Sequence, residues 1–354
     1  MEFLRMKRFA AADTDYFPEF SELRTMKPVR VSMDLELARD PDNVRYLEEL
    51  ADRSYALVPV QRLPASGVNG HRIDFPARVL LEMTSICNAK CRMCPQMNLK
   101  RKLMHMDKEK YKSIVDELDS HGIDGLWIHH FGESTGHPDF KELVNHVSSK
   151  KHLGYVWLST NGIRMDEPMI DFLLMSGISF LNFSLQSISI EGYKRIAPTS
   201  PAETILANLQ TLIKKKQVEA PKKPYFRLQI IEQQNTRNDI DDFLRIYYDK
   251  CDLISVNMLE HTDLAFNKEG SGLRQHSETK LCKRLGRSDF IINSDGTTTI
   301  CDNAYNNQLD IGSIWHNNVH ELWNGDRRKE ILDMNRDGSL WAVPLCSECM
   351  DYDL

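Results

Sequence analysis

From Arg78 to Met258 the chain alternates short apolar runs of β character with stretches of helical spacing. ARVLLEM (77–83), GLWIHHF (125–131), YVWLST (155–160), ISFLNFSL (178–185), YFRLQII (225–231) and LISVNML (253–259) are rich in branched and aromatic residues, which predicts six strands. Between them DKEKYKSIVDELDSHG (107–122), PDFKELVNHVSSKK (138–151), EPMIDFLLMSG (167–177), a segment around 201–217 and DIDDFLRIYYDK (239–250) carry apolar residues at helical intervals. Such an alternation calls for a parallel sheet with right-handed crossovers, open or curled into part of a barrel. The predicted fold is α/β: a partial (β/α)6 barrel of TIM type over 76–259, followed by a small α+β domain over 260–354. That second region holds a turn at Ser294-Asp295-Gly296 between two β-like runs and a helix near 317–335. Residues 1–75 fall outside the rhythm. They have weak periodicity, several prolines and one helix-like stretch, PDNVRYLEELADRSY (41–55), and read as an extension without an assigned role.

Composition narrows the classes. The chain has 354 residues, 41% apolar and 27% charged, as a soluble globular protein does. A net charge of −6 argues against a broad nucleic-acid-binding surface, which needs a basic excess. The run Lys214-Lys215-Lys216, with Lys222 and Lys223, reads as the solvated end of a helix and its loop rather than a phosphate patch. No stretch approaches the roughly 20 apolar residues of a membrane span. The charged start MEFLRMKRFAAAD has no apolar signal core. A cytoplasmic protein with neither membrane nor nucleic-acid partners is expected. In a reducing compartment, eight cysteines read first as metal ligands or reactive thiols.

Three of them crowd one loop. Cys87, Cys91 and Cys94 follow the strand ending near Thr84 with the spacing C-x3-C-x2-C, at the C-terminal mouth of the sheet. Barrels and open α/β sheets place their active sites there. A structural zinc site wants four ligands and a disulfide two. Three close thiolates suit a cubane cluster with one iron left open, and an open position marks a catalytic metal. The alternatives are zinc completed by a distant histidine, or three incidental cysteines.

CNAKCRMC on this loop resembles the radical S-adenosylmethionine superfamily. The resemblance implies a 4Fe–4S cluster on Cys87, Cys91 and Cys94 whose open iron chelates the methionine end of S-adenosylmethionine. Reduction then yields a 5′-deoxyadenosyl radical that takes a hydrogen atom from substrate. It also implies a reducing partner such as flavodoxin or ferredoxin. Met93 stands where the family often has an aromatic residue, and a thioether packs comparably on adenine. His130-Phe131-Gly132-Glu133 resembles the family's Gly-Gly-Glu segment, with Phe131 replacing the first glycine, so Gly132 and Glu133 are implied to hold the cofactor's ammonium. Ser159-Thr160-Asn161-Gly162 resembles the Thr-Asn-Gly turn beside the cofactor. Ser184 and Gln186 match the polar pair at the ribose, where an acid is commoner than Gln186. Arg195 lies about where an arginine reaches the cofactor carboxylate. Singly, Asn161-Gly162 is also a plain turn signal and Arg195 a surface helix residue. His129 and His130, adjacent on a strand, must point to opposite sides, so one is expected packed and one near the site.

Cys282, Cys301, Cys346 and Cys349 form a second set, C-x13-G-x4-C, a gap, then C-x2-C, with Gly296 in the turn of a hairpin that returns Cys301 beside Cys282. This resembles the auxiliary-cluster domain after some radical S-adenosylmethionine barrels, in its short one-cluster "twitch" form rather than the two-cluster SPASM form. It implies a second 4Fe–4S cluster, fully ligated by protein, with a four-thiolate zinc ribbon as the alternative. A closed cluster near a radical site suits electron transfer rather than substrate binding. If the substrate radical gives up its second electron there, a carbinol carbon becomes a ketone. The resemblance points to the enzyme that oxidises a 2-deoxy-scyllo-inosamine hydroxyl, and next to anaerobic sulfatase-maturing enzymes.

The leading expectation is a radical dehydrogenase acting on a carbohydrate-like or aminocyclitol small molecule. Residues 1–75 lack the strand–helix pattern of a leader-peptide-binding module, which favours it. The alternative is modification of a ribosomally made peptide by epimerisation, crosslinking or side-chain oxidation. A third reading, an electron carrier with a decayed cofactor site, is opposed by the intact Gly132-Glu133 and Asn161-Gly162. Cys251 precedes the sixth strand, near the barrel bottom, and reads as a small buried hydrophobe. Arg227, Tyr225, His130 and Glu232 are residues a barrel can aim inward, with none assigned as the proton acceptor.

Overall fold

The computed structural model of the chain describes residues 31–34, 57–60, 74–219, 224–232, 239–247, 250–251, 253–258, 282, 285, 289–347 and 349. One eleven-stranded sheet organises them. In chain order its strands are β1 (Val31–Asp34), β2 (Leu57–Val60), β3 (Arg78–Leu81), β4 (Gly125–Trp127), β5 (Tyr155–Thr160) and β6 (Phe180–Leu185). Then come β7 (Tyr225–Glu232), β8 (Leu253–Met258), β9 (Asp289–Ile292), β10 (Thr297–Thr299) and β11 (Asp310–Ser313). The order is β11-β10-β9-β3-β4-β5-β6-β7-β8-β1-β2. Every pairing from β9 to β2 is parallel, while β10 joins β9 and β11 antiparallel.

The six predicted strands are present, and the α/β partial-barrel fold stands. Two features were not legible. β1 and β2 extend the sheet beyond β8, although VSMD and LVPV are too short to show a period; the helix-like stretch 41–55 lies outside the described residues. At the other edge β9 adds in parallel to β3, so the sheet runs across the sequence boundary drawn at 259/260.

The helices follow from spacing and caps. They are α1 (Lys108–His121), α2 (Phe140–Ser148), α3 (Glu167–Met175), α4 (Ile190–Ile196), α5 (Ala202–Glu219) and α6 (Ile240–Tyr247). The C-terminal part adds α7 (Val319–Asn324), α8 (Asp326–Asp337) and α9 (Pro344–Ser347). In α1 the Asp107 carboxylate accepts from the backbone N–H groups of Glu109 and Lys110, and Gly122 (φ 73°) ends the helix. Its buried face is Tyr111, Ile114, Val115 and Leu118, the i, i+3, i+4, i+7 stripe. Of the lysine run, Lys215 pairs with Glu167 and Asp171, and buried Lys216 donates to the Pro224 carbonyl, so it anchors α5 to its neighbours.

Alternate strand residues build the two sides of the sheet. Val79, Leu81, Leu126, Val156, Leu158, Leu181, Phe183, Phe226, Leu228, Ile254 and Val256 sit in the main core, packed with helix residues such as Leu118, Leu143 and Leu209. The other parity faces the lumen. Trp127, Trp157, Phe180 and Tyr225 lie in register across β4 to β7 and form a separate aromatic cluster. Toward the C-terminal mouth the next layers are polar: Ser159, Asn182 and Arg227, then Ser184, Gln229 and Ser255.

Candidate active site

The loop after β3 carries Cys87, Cys91 and Cys94. Cys94 N donates to Cys91 O (3.0 Å), Ala89 N donates to Cys87 Sγ (3.4 Å), and a 3-10 turn over Pro95–Asn98 follows. The three thiols are half-buried. Burial, then Glu133 and Cys94, pushes Cys87 up to about 11; burial, then Cys94 and Cys87, pushes Cys91 up; burial also raises Cys94. Thiolates so disfavoured in the bare loop need a cation beside them, and three of them on one loop fit a cubane. No three His, Cys, Asp or Glu side chains among the described residues converge as a single ion requires.

The turns after β4 and β5 close on this loop. A Cβ on Gly132 would stand 1.9 Å from Thr84 O, so only glycine lets the β4 loop cross the end of β3. Glu133 N donates to Ile86 O (3.1 Å). The Glu133 carboxylate is buried and accepts from Thr135 N and Oγ1 (3.3 and 2.7 Å), Thr160 Oγ1 (2.8 Å) and Asn161 N (2.8 Å). Burial nonetheless raises its carboxyl. Asn161 Nδ2 donates to Asn88 Oδ1 (2.8 Å) and reaches Cys87 Sγ at 3.7 Å. Cys87, Gly132, Glu133 and Asn161 therefore share one rim.

Below the rim, Asn182 Nδ2 donates to Ser159 Oγ (2.9 Å) and Gln186 Nε2 to Ser184 Oγ (3.0 Å). Asn182 Oδ1 and Gln186 Oε1 are buried acceptors that meet no donor among the described residues, which suits a ligand bringing hydroxyl or N–H groups. Arg227 Nε donates to Ser255 Oγ (3.0 Å), and the guanidinium lies 5.5 Å from the Trp157 ring centroid. The two histidines lie beyond the end of β4, which stops at Trp127, and have different neighbours. His129 Nδ1 lies between Ser159 N (3.1 Å) and Trp157 O (3.3 Å), a backbone donor and a backbone acceptor that hold the ring in place. Burial lowers His129 to about 4, leaving it neutral. His130 packs on Phe131, with Nδ1 3.9 Å from Glu82. Arg195 is exposed on α4 and bonds to none of the other candidates; α4 itself meets the cysteine loop through Arg92 N donating to Ile196 O (2.9 Å).

The second cysteine set converges. Cys282, Cys301, Cys346 and Cys349 line one small cavity, walled by Leu285, Leu309, Leu340 and Leu345. Asn335 of α8 brackets Cys282, accepting from its N (2.7 Å) and donating to its O (3.0 Å). Four thiols from separate segments around an apolar cavity fit a closed cluster.

Motif reading passes over the group that joins the two halves. Arg101 donates through two nitrogens to buried Glu82 (2.7 and 2.7 Å) and through Nε to Tyr305 O (3.2 Å). Glu82 also accepts from Ser294 N and Oγ (2.9 and 2.8 Å) and from Phe131 N (3.2 Å). Burial alone would raise its carboxyl, but Arg101, His130 and Ser294 bring it below the ordinary value. The only sequence signal was an acid inside the apolar run ARVLLEM.

Comparison with known proteins agrees with this geometry. The model for the radical SAM superfamily matches residues 81–219, and that for an iron–sulfur cluster-binding domain, SPASM, matches 282–350. The PqqA peptide cyclase of Granulibacter bethesdensis is 27% identical over 168 residues, 47% of this chain and 42% of that protein, so the match spans less than half of its length. Among solved structures, BtrN in complex with AdoMet and 2-DOIA superposes with a TM-score of 0.51 at 16% identity, over 78% of this chain and 97% of its own. SuiB of Streptococcus suis bound to its precursor peptide SuiA gives 0.57 at 14% identity, over 80% and 76%. At such identities the structures show the fold alone. The paired domains imply a 4Fe–4S cluster that binds S-adenosylmethionine and an auxiliary iron–sulfur site. The chain belongs to the radical S-adenosylmethionine superfamily and carries a SPASM-type cluster-binding domain behind its barrel.

Proposed function

We propose that the chain oxidises a hydroxylated small molecule, carbohydrate-like or aminocyclitol, at an alcohol carbon. Cys87, Cys91 and Cys94 ligate the first cluster, and Cys282, Cys301, Cys346 and Cys349 the auxiliary one. The working division is an extension (1–75), a radical barrel (76–259) and an auxiliary domain (260–354). When bound, the first cluster and S-adenosylmethionine supply a 5′-deoxyadenosyl radical, and the auxiliary cluster accepts one electron. The observation that supports the reading is the cavity lined by four thiols: as a full ligand set they would leave no open position for substrate, which suits electron exchange.

Gly132 and Glu133 would hold the ammonium of S-adenosylmethionine, Ser159 and Asn161 its methionine end, Ser184 and Gln186 its ribose, and Arg195, from α4, its carboxylate. Beneath them the lumen presents hydroxyls, amides, the Arg227 guanidinium and the His129 ring, which fit a polyhydroxyl substrate. With these groups bound, the carbinol hydrogen atom would go to the nucleoside, the hydroxyl proton to a base and one electron to the auxiliary site, which balances a two-electron oxidation. A small electron-transfer protein such as flavodoxin or ferredoxin supplies the initiating electron. The likeness to a PqqA peptide cyclase and to peptide-bound SuiB favours a second reading, radical modification of a ribosomally made peptide.

Anaerobic reconstitution tests the class. About eight irons are expected in the wild type and about four in a Cys87/Cys91/Cys94→Ala variant, with 5′-deoxyadenosine formed from dithionite and S-adenosylmethionine by the wild type alone. Zinc in the C-terminal cavity would overturn the electron-acceptor role. Deuterium arriving in 5′-deoxyadenosine from a carbinol-labelled aminocyclitol, rather than from a labelled peptide encoded beside this gene, decides the substrate.

A further inference from the structure

We propose that the outer face of the cysteine loop is the docking surface for a small, acidic one-electron-transfer protein. The inference rests on the radical-enzyme reading above and locates where its electron enters. Between Met83 and Met106 the chain has five basic residues, Lys90, Arg92, Lys100, Arg101 and Lys102, and no Asp or Glu, within a molecule of net charge −6. Arg101 turns inward to Glu82. The other four are exposed, and none forms an ion pair among the described residues.

Hydrogen bonds tie the start of this loop to its middle and its end. Ser85 N donates to Met104 O (3.1 Å), Met104 N to Ser85 Oγ (2.9 Å), and Gln96 Nε2 to Ser85 O (3.0 Å). Their neighbours Ile86, Met97 and Leu103 stand 42%, 53% and 48% exposed. Exposed apolar residues interleaved with basic ones are the make-up of a transient, electrostatically steered interface. Its charge selects an acidic partner, and its place fits electron entry. Cys87, Cys91 and Cys94 on this same loop are all partly exposed, whereas of the second set only Cys349 is, with Cys282, Cys301 and Cys346 buried. An external donor thus meets the first cluster through less protein than the second.

The test combines Lys90→Glu, Lys100→Glu and Lys102→Glu in the full chain, with flavodoxin as the probe. Binding of oxidised flavodoxin is measured at about 0.05 and about 0.5 M salt, either side of the screening range. Cluster reduction by flavodoxin hydroquinone is followed by stopped flow, and nucleoside formation with excess dithionite is the reference. The variant is expected to lose about tenfold or more in flavodoxin affinity and transfer rate at low salt, and to lose the salt dependence of the wild type, with dithionite-driven nucleoside unchanged. Unaltered flavodoxin binding overturns the proposal. So does an equal loss with dithionite, which would assign the lysines to the cluster or to substrate entry. A wild type that makes no nucleoside with dithionite overturns the radical reading itself, and that result does not involve the variant.

Discussion

Gly132 shows how tightly single residues set this site. Its missing side chain lets Thr84 O approach to where a Cβ would be 1.9 Å away, and the partner atom is backbone, which cannot swing aside. Gly132→Ala is expected to displace the 131–133 turn, abolish nucleoside formation and cost about 1–3 kcal/mol, read by calorimetry and chromatography. Gly136→Ala, where a Cβ meets nothing within 4 Å, is the control and should change neither. His129 supplies a pH signature. Its ring titrates near 4 because burial penalises the imidazolium. An unfolded chain binds that proton near its ordinary value, about 6.5. Stability is therefore full above pH 6.5 and falls as the pH drops toward 4, by about 3 kcal/mol at most from this group. Glu82, also lowered, adds to the same acid limb at lower pH. Urea midpoints between pH 7.5 and 4.5 should fall more steeply for the wild type than for His129→Gln; parallel curves would remove His129 as the cause.

At the level of elements, legibility tracked length and period. The run YVWLST gave β5 at its own bounds, because a strand buried on both faces is written in continuous apolar text. GLWIHHF gave β4 but too long. After Trp127 the chain leaves the ladder: Ile128 N still donates to Trp157 O, but Ser134 Oγ already donates to Ile128 O, turning the backbone toward the Gly132 crossing. The seven-residue α4 has no legible bounds, although Arg195 reads singly as a surface helix residue: it is too short to show a period, and Gly192 sits inside it where a Cβ would meet Ser187 Oγ at 1.8 Å. The cysteine positions were legible because thiolate spacing is a local code. The Asn335 bracket on Cys282 was not, because it depends on a helix 53 residues away. Cys301→Ala and Cys346→Ala should each remove about four irons while leaving nucleoside formation without substrate intact. Substrate oxidation should stop, since the second electron has no acceptor. Retention of full turnover with only the first cluster loaded would refute that role.

Across the whole molecule, the sequence reads as a barrel with an appended domain, but the sheet makes them one body. β9 pairs with β3 along Arg78↔Asp289 to Leu81↔Ile292, and Phe290 and Ile292 enter the core that holds Val79 and Leu81. Glu82, at the end of β3, takes its bonds from Arg101 in the cysteine loop, Phe131 beyond β4 and Ser294 in the β9–β10 turn. The auxiliary half thus fixes the strand from which the cysteine loop departs. Glu82→Gln, which leaves the Arg101 charge buried against a neutral amide, is expected to cost about 3–5 kcal/mol in urea unfolding, and Glu82→Leu with Arg101→Met to recover part of it. Deleting residues 260–354 goes further: it bares the β3 edge, removes Phe290 and Ile292 from the core and strips Glu82 of Ser294. The shortened chain is expected to aggregate on size exclusion and to form no 5′-deoxyadenosine, although every candidate residue for the first cluster and S-adenosylmethionine remains in it. Loss of the auxiliary cysteines alone leaves these contacts in place, so the Cys346→Ala protein should stay monodisperse. A soluble 1–259 fragment that cleaves S-adenosylmethionine at the full-length rate would show that the barrel stands without its neighbour.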